Sequence, residues 1–548
     1  MNDGEPLPRS GDASRAGPVL PPLAAHACWL LYPIDDAGWP PDAGPSFGDL
    51  ADAQASARLD AQADQGGDAE RWLPEDALAS IAGAHRDKPL WQPGSLEPGS
   101  DLYPYVRRLL GEGAAAAATT EVFAQVLRLT DNARDLLHGK APFRPAGAVA
   151  ATGPRRLRLL LGGTAARRRI ARRVPSFGDD ALLLSVTALL QVRFCTGHGL
   201  LLARLELARA DGAALDPYLL VEGLYRLARF NRVTWADVTG TPVAAAPVFS
   251  LGALLRGLAG DHGADQRAER VFTASLVQFD ASPTPAALER LLVQLARHYT
   301  DDYRLADTPA CALAVSHFDN VWHRFALEGC ATAVDLGGYA VDDAADGPPA
   351  SLAQFESQTF RRHYLPIMLL AYHEFRFLLH ATDAASIWPE PDAETDARRA
   401  ERIARLERVR LGVTRFMLGF RFTRVSRIGM HNDVNAALRA ALGLDPMLAE
   451  LDRDSAQIDA YLKHAAAQRE EARDARRERR WRWASALGVF GIAWLTTFTI
   501  AKELLALEWV RQAVTLSHDQ TALIEVGAAG IVALIAATLT GWIGRGGG

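Results

Sequence analysis

From Trp483 to Ala501 the chain reads WASALGVFGIAWLTTFTIA, and from Val526 to Gly544 it reads VGAAGIVALIAATLTGWIG. Each stretch is 19 residues long and carries no charge. As a helix rising ~1.5 Å per residue, each covers ~28 Å, about the hydrocarbon thickness of a bilayer. A buried globular helix is rarely this long and apolar, and two adjacent ones are rarer. Trp481 and Trp483 flank the first stretch and Trp542 sits at the end of the second, where amphipathic rings prefer the membrane interface. The pair predicts a transmembrane hairpin over 483–544, with spans 483–501 and 526–544.

The flanks set its orientation. REEARDARRERRWRW (469–483) places seven arginines from Arg469 to Arg482 ahead of the first span. The connection, Lys502 to Glu525, holds Lys502 and Arg511 against Glu503, Glu508, Asp519 and Glu525, and Arg545 follows the second span. The positive-inside rule then puts both termini in the cytoplasm and the connection outside. The first residues, MNDGEPLPR, lack a basic region followed by an apolar core, so no signal peptide is expected. The reading is a multi-pass protein of a bacterial-type inner membrane, with most of its chain cytoplasmic.

Outward from the hairpin the composition is that of a soluble protein. The 548 residues are 49% hydrophobic and 23% charged, with net charge -6. No global basic field points to a nucleic acid. Cys28, Cys195, Cys311 and Cys330 are far apart and form no C-x-x-C pair, which argues for buried free thiols rather than a zinc ribbon or a disulfide scaffold. Residues 1–25, rich in Pro, Gly, Ala and Ser, are expected to be disordered.

Region 26–345 mixes strand and helix signals. Strand-like runs are HACWLLYPI (26–34), LRLLLGG (157–163), ALLLSVTALLQVRF (181–194), GLLLARLEL (199–207), VFTASLVQF (271–279) and CALAVSHF (311–318). Helix-like runs are PYLLVEGLYRLARF (217–230) and TPAALERLLVQLARHY (284–299). Thr284 is placed to cap the latter, with Pro285 in its first turn. Without clean β-α-β alternation, the expectation is an α+β domain with a mixed sheet.

Region 346–482 reads as helical. One helix is expected over 351–380, and SIWPEPDAETD (386–396) interrupts it. A second long helix is expected from the spacing of Leu406, Val409, Val413, Phe416 and Phe420, ending at GLDP (443–446) with Gly443 as its C-cap. Beyond Pro446 no Pro or Gly occurs until Gly488. The spacing predicts one continuous stalk helix from Pro446 through Ala501, ~84 Å long.

This organisation resembles the CorA-type metal-ion transporter superfamily. Residues 199–545 carry the resemblance. The clearest parts are YLPIMLLAYHEFRFLL (364–379), FMLGFRFTRVSRIGMHNDVNAALRAALGL (416–444), LDRDSAQIDAYL (451–462) and the hairpin. It implies a cytoplasmic α/β domain, a stalk helix running into the first membrane helix, and a homo-oligomer, a pentamer, whose first membrane helix lines the pore. A divalent cation would be the transported or regulatory ion. One departure is plain. The Gly-Met-Asn triplet that the family carries after the first span is absent from FTIAKELLALEW (498–509).

On the first span, Ser485, Gly488, Ile492, Thr496 and Thr499 follow steps of three and four, and Glu503 continues the row. Such a face is a candidate pore lining, with hydroxyls replacing water around a cation. It equally suits helix packing. Glu503, Asp519 and Glu525 are candidates for an acidic outer mouth, with ordinary solvated loop charge as the alternative. Ala529, Ala533, Ala537 and Gly541 form a small-xxx-small packing surface. His363, His373, Glu374 and His380 lack H-E-x-x-H spacing and read as scattered polar positions, as do His317, Asp319 and His323. Gly162-Gly163-Thr164 before Arg167, Arg168 and Arg169 reads as a turn and a basic surface helix, since it matches no P-loop. No hydrolase pattern stands out, so no enzyme and no resident cofactor is expected. The expectation is a CorA-like cation channel or transporter with a regulatory cytoplasmic domain. The alternative is a membrane-anchored sensor or scaffold without a pore.

Overall fold

The computed structural model describes residues 20–35, 45–54, 72–81, 85–110, 124–143, 155–229, 231–237, 239–243, 246–260, 271–300, 313–337, 348–385, 396–420, 422, 424–506 and 518–543. Most of the segment expected to be disordered, 1–19, lies outside these residues, as do Cys311 and the interruption at 386–395. The chain divides into two units, Met1–Arg453 and Asp454–Gly548.

The first unit is built on one mixed sheet of 12 strands. They are β1 (Ala25–Asp35), β2 (Trp91–Pro93), β3 (Ala124–Leu129), β4 (Arg156–Leu160), β5 (Ala181–Phe194), β6 (His198–Ala208), β7 (Arg232–Ala236), β8 (Val248–Ser250), β9 (Phe272–Phe279), β10 (Leu313–Phe318), β11 (Val321–Phe325) and β12 (Gly329–Asp335). The order is β10-β11-β12-β9-β1-β6-β5-β4-β7-β8, with β3 also paired to β5 and β2 to β3. Neighbours are antiparallel except β9 and β12, which run parallel. The long strand β5 pairs with β6 along one edge and serves two partners on the other, β4 along Ala181–Leu184 and β3 along Leu190–Phe194.

Both faces of the sheet are covered, which explains the nearly continuous apolar runs of its central strands. Cys28, Leu30, Tyr32 and Ile34 of β1 join one core, while Trp29 and Leu31 join the other. The first core is closed by α1 (Thr164–Arg173), α2 (Pro217–Arg229), α3 (Leu251–Ala259) and α4 (Pro285–Arg297). The second is closed by α5 (Leu365–Ala385), α6 (Asp396–Gly419), α7 (Gly429–Leu442) and the start of α8 (Leu444–Ala506). A bulge between Val186 and Ala188 lets β5 change phase on its faces. Leu182, Leu184 and Val186 face the first core before it, and Leu189 faces that core after it. Leu190, Val192 and Phe194 thereby reach the second core.

Several local expectations are modified. Thr284 occupies the N-cap of α4 without a side-chain cap bond, although Pro285 does begin the helix. The second long helix stops at Gly419, and α7 is separate from it. Asn432 explains the break: its Oδ1 accepts from the amides of Val425 and Ser426 and its Nδ2 donates to the Ser426 carbonyl, holding this turn open. Gly443 is in the left-handed conformation (φ 67°) and ends α7 as expected. Helix α8 then runs for 63 residues, starting earlier and ending later than the spacing predicted.

A π-helical turn, Glu356–Tyr364, leads into α5. Pro366 has no amide to donate to the carbonyl of Arg362. The amide of Gly99 donates to that carbonyl instead, at 2.8 Å. Such close approach demands glycine, because a Cβ at residue 99 would lie 2.0 Å from the imidazole of His363.

Candidate functional site

The second unit contains the rest of α8 and α9 (His518–Ile543). Among the described residues, one helix, α8, has a stretch long and apolar enough to cross a membrane, and a shorter apolar run covers Ala522–Val532 in α9. Gly544 and the connection 507–517 lie outside the described residues. Large apolar side chains stand exposed along both helices, among them Trp481, Trp483, Leu487, Ile492, Leu495, Leu523, Ile531 and Leu534. In water such a surface is costly, and a lipid environment removes that cost.

The apolar part of α8 has two distinct faces. Phe490, Gly491, Ala493, Trp494, Thr497 and Phe498 are half-buried. Trp494 lies against α9: a Cβ at Gly530 would be 3.1 Å from its ring, and the neighbouring Ala529 is fully buried. Phe490 lies alongside, its ring tilted by 31° and its centroid 6.1 Å from that of Trp494. Small residues on α9 therefore admit a large ring from α8, the kind of contact that packs helices where apolar burial offers no driving force. The side chains of Ala533, Ala537 and Gly541 lie outside the described residues.

The candidate pore residues occupy the other face. Ser485, Gly488, Ile492, Thr496, Thr499 and Glu503 are all exposed in the single chain. The hydroxyl of Ser485 donates to the carbonyl of Arg482 at 3.0 Å. Those of Thr496 and Thr499 donate to the carbonyls of Ile492 and Leu495, each at 2.8 Å. With their protons so engaged, the oxygens keep lone pairs directed off the helix. A Cβ at Gly488 would meet nothing within 4 Å, so the backbone is open to close approach there. Of the outer-mouth candidates, Glu503 is exposed and Glu525 half-buried, and the side chain of Asp519 is outside the described residues. No contact among the described residues joins Glu503 to Glu525.

The histidines of the first unit are more structural than their sequence positions suggested. His373 is buried, stacks on Phe194 at 3.7 Å and lies 3.4 Å from the hydroxyl of Thr196. Burial holds its pKa well below the ordinary value. His380 is exposed, its ring 4.8 Å from that of His198. His363 stacks on His431 at 4.7 Å, and burial lowers both. His317 pairs with Asp433 at 2.9 Å, whereas His323 is buried against Thr332. Among the described residues, no group of three His, Cys, Asp or Glu side chains is disposed to hold a metal ion.

Buried ion pairs were invisible in the sequence because their partners are far apart along the chain. Arg169 grips the fully buried Glu222 with two bonds, at 2.6 and 2.9 Å, and Tyr218 adds a third. Arg168 and Arg167 instead remain on the exposed side of α1, whose N-cap, Gly163, makes no side-chain bond. Arg439 pairs with the buried Glu374 and with Asp445. Cys28 and Cys330 are buried thiols, Cys28 pushed up to about 12 by burial, while Cys195 is exposed, contrary to expectation. Comparison with family patterns, curated proteins and solved structures finds no match to the chain.

Proposed function

We propose that the chain is a CorA-like membrane cation channel or transporter, working as a homo-oligomer with α8 lining the pore. One observation carries this reading. The face of α8 that bears Ser485, Gly488, Thr496 and Thr499 is open, while the opposite face packs on α9 through Trp494 and Gly530. In a symmetric bundle the open face would turn inward. Hydroxyl oxygens would take the place of water around the ion, and a ring of Glu503 would concentrate cations at the outer end. The hairpin 483–544 would cross the bilayer with both termini in the cytoplasm. Flux would be passive. The first unit would shift the open–closed equilibrium when it binds a ligand, and a divalent cation is the leading candidate for both cargo and regulator.

A second reading, a membrane-anchored sensor or scaffold, is favoured by the same hydroxyls. Each is satisfied within its own helix, so the face can also meet lipid or a neighbouring helix without penalty. Ion flux into proteoliposomes separates the two readings. With magnesium, cobalt, nickel, zinc and monovalent cations tested in turn, at least one should pass. Thr496→Leu with Thr499→Leu should cut that flux by at least ~10-fold, because both oxygens are lost and the bore narrows. If no cation passes through the wild-type protein, the channel reading fails and the scaffold stands.

A further inference from the structure

Two histidines from different elements meet face to face where α7 packs on the π-helical turn. His363 belongs to that turn and His431 to the first turn of α7. Their rings stack with centroids 4.7 Å apart and planes 24° apart. His431 is buried and His363 half-buried. The stack is pinned from both sides. Gly99 lies against His363 with no room for a Cβ. On the other side the Oγ of Ser426 is 3.0 Å from Nδ1 of His431. The same Oγ donates to the carbonyl of Asp101 at 2.9 Å and accepts from the amide of Ile428 at 3.1 Å. A hydroxyl has one proton to give, and a carbonyl only accepts. All three contacts hold together only if Nδ1 of His431 donates to Oγ. Neutral His431 thus carries its proton on Nδ1, and a second proton must go to Nε2.

The surroundings favour two neutral rings. Asp101, on the loop beside Gly99, draws a proton toward both histidines, while Arg362 opposes one on His363. Asp433, also on α7, is engaged by His317 of β10 at 2.9 Å. Tyr364 sets its ring crosswise to His431 at 5.6 Å and to His323 of β11 at 4.9 Å. Nδ1 of His363 is buried with no hydrogen-bond partner among the described residues, yet an imidazolium donates from both nitrogens. A charge on His431 would also oppose the dipole of α7, whose positive end it occupies. Burial is the largest influence on both histidines and lowers both, His431 to about 4, with stacked His363 adding to that fall.

We infer that the His363–His431 stack is a proton-sensitive latch, which holds the first turn of α7 on the π-helical turn while both rings are neutral and releases it in acid. The latch lies within the first unit, so it stands whether or not the second unit conducts. Two stacked cations repel, and the packing of His363 on Gly99 leaves α7 as the side that moves. The far half of α7 has its own anchor, Arg439, which pairs with Glu374 of α5 and Asp445 of α8. Release therefore pivots α7 about its C-terminal end, where Gly443 joins it to α8. Linkage sets the sign. A released histidine titrates near pH 6.5 and docked His431 near 4. The contact is at full strength above pH 6.5 and weakens as pH falls toward 4.

The test is hydrogen–deuterium exchange of the full chain in nanodiscs, read by mass spectrometry and corrected for intrinsic exchange rates. Between about pH 7.5 and about pH 5, protection over residues 429–434 should fall at least ~20-fold, the ratio that His431 alone supplies. Residues 436–442, held by Arg439, should lose less. His431→Asn keeps a donor for Ser426, and His363→Gln keeps a planar polar side chain, but neither replacement takes up a proton in this range. In the double variant, protection over 429–434 should change by less than ~3-fold between the two conditions. His380→Ala, which removes an exposed histidine of α5, should keep the wild-type drop. If wild-type protection over 429–434 is the same at both pH values, the latch is overturned, and that result needs no variant. If the folded double variant keeps the full drop, or if His323→Gln or His380→Ala abolishes it, the proton acts elsewhere and the latch is overturned.

Discussion

At the scale of single residues, the charges that matter for stability are those withdrawn from water. Glu222 is fully buried, and Arg169 supplies its compensating charge. Arg169→Ala should destabilise the first unit by about 3–5 kcal/mol, since a lone buried carboxylate remains. Glu222→Gln, which keeps an acceptor for Tyr218, should cost less; urea denaturation followed by circular dichroism compares the two. His323 gives a pH-dependent counterpart. Burial pushes it down to about 3, and His317 and Arg324 nearby act in the same direction. Unfolded histidine titrates near pH 6.5, so between about pH 6.5 and 3 the unfolded chain binds the extra proton. Stability is then complete above pH 6.5 and declines as pH falls toward 3, by on the order of 5 kcal/mol from this group. His323→Gln retains a partner for Thr332 and should flatten that acid limb. An unchanged slope of stability against pH would show that His323 does not contribute it.

At the scale of elements, the fold depends on a few places where the backbone departs from regularity. The bulge in β5 switches which side chains face each core. Deleting Thr187 would send Leu190, Val192 and Phe194 to the wrong face, and should abolish accumulation of folded protein, whereas Thr187→Ala should be tolerated. The Gly99–Arg362 bond makes a second such place. Gly99→Ala should cost about 1–3 kcal/mol by overpacking against His363, and much of that should return in the double variant with His363→Ala. The elements legible in the sequence were those with strong periodicity. The run ALLLSVTALLQVRF appears as β5 with the same limits, and PYLLVEGLYRLAR as α2. Short strands such as β2 and β8 have only three residues each, too few for any period to emerge, so the sheet is larger than the sequence suggested. The break between α6 and α7 escaped notice because it depends on Asn432 reaching back to Val425 and Ser426, a tertiary preference that leaves no mark on hydrophobic spacing. The shared face of Ser485, Thr496 and Thr499 was readable, since spacing alone sets it; its freedom from α9 was not, because that depends on where Trp494 goes.

At the scale of the whole molecule, exposed apolar surface is concentrated in the second unit, while the first buries its apolar residues in two cores. A chain ending after Lys463 should therefore remain in the supernatant without detergent and keep the His323-linked acid response. The full chain should pellet with membranes and resist extraction by alkaline carbonate. Release of the full chain by carbonate would count against a spanning hairpin. The buried thiols Cys28 and Cys330 should stay unlabelled by maleimide in the native protein, while Cys195 reacts.

The unbroken course of α8 from Leu444 to Ala506 has a further consequence. Along a rod with no Pro or Gly between Pro446 and Gly488, an inserted residue is not absorbed locally. One extra alanine near Ala465 would turn the later residues of α8 by about 100° about the helix axis and lengthen the helix by about 1.5 Å. Seven extra residues would add about 10 Å yet restore the azimuth to within about 20°. Natural variation in this stretch should therefore come in sevens or elevens rather than in ones and twos.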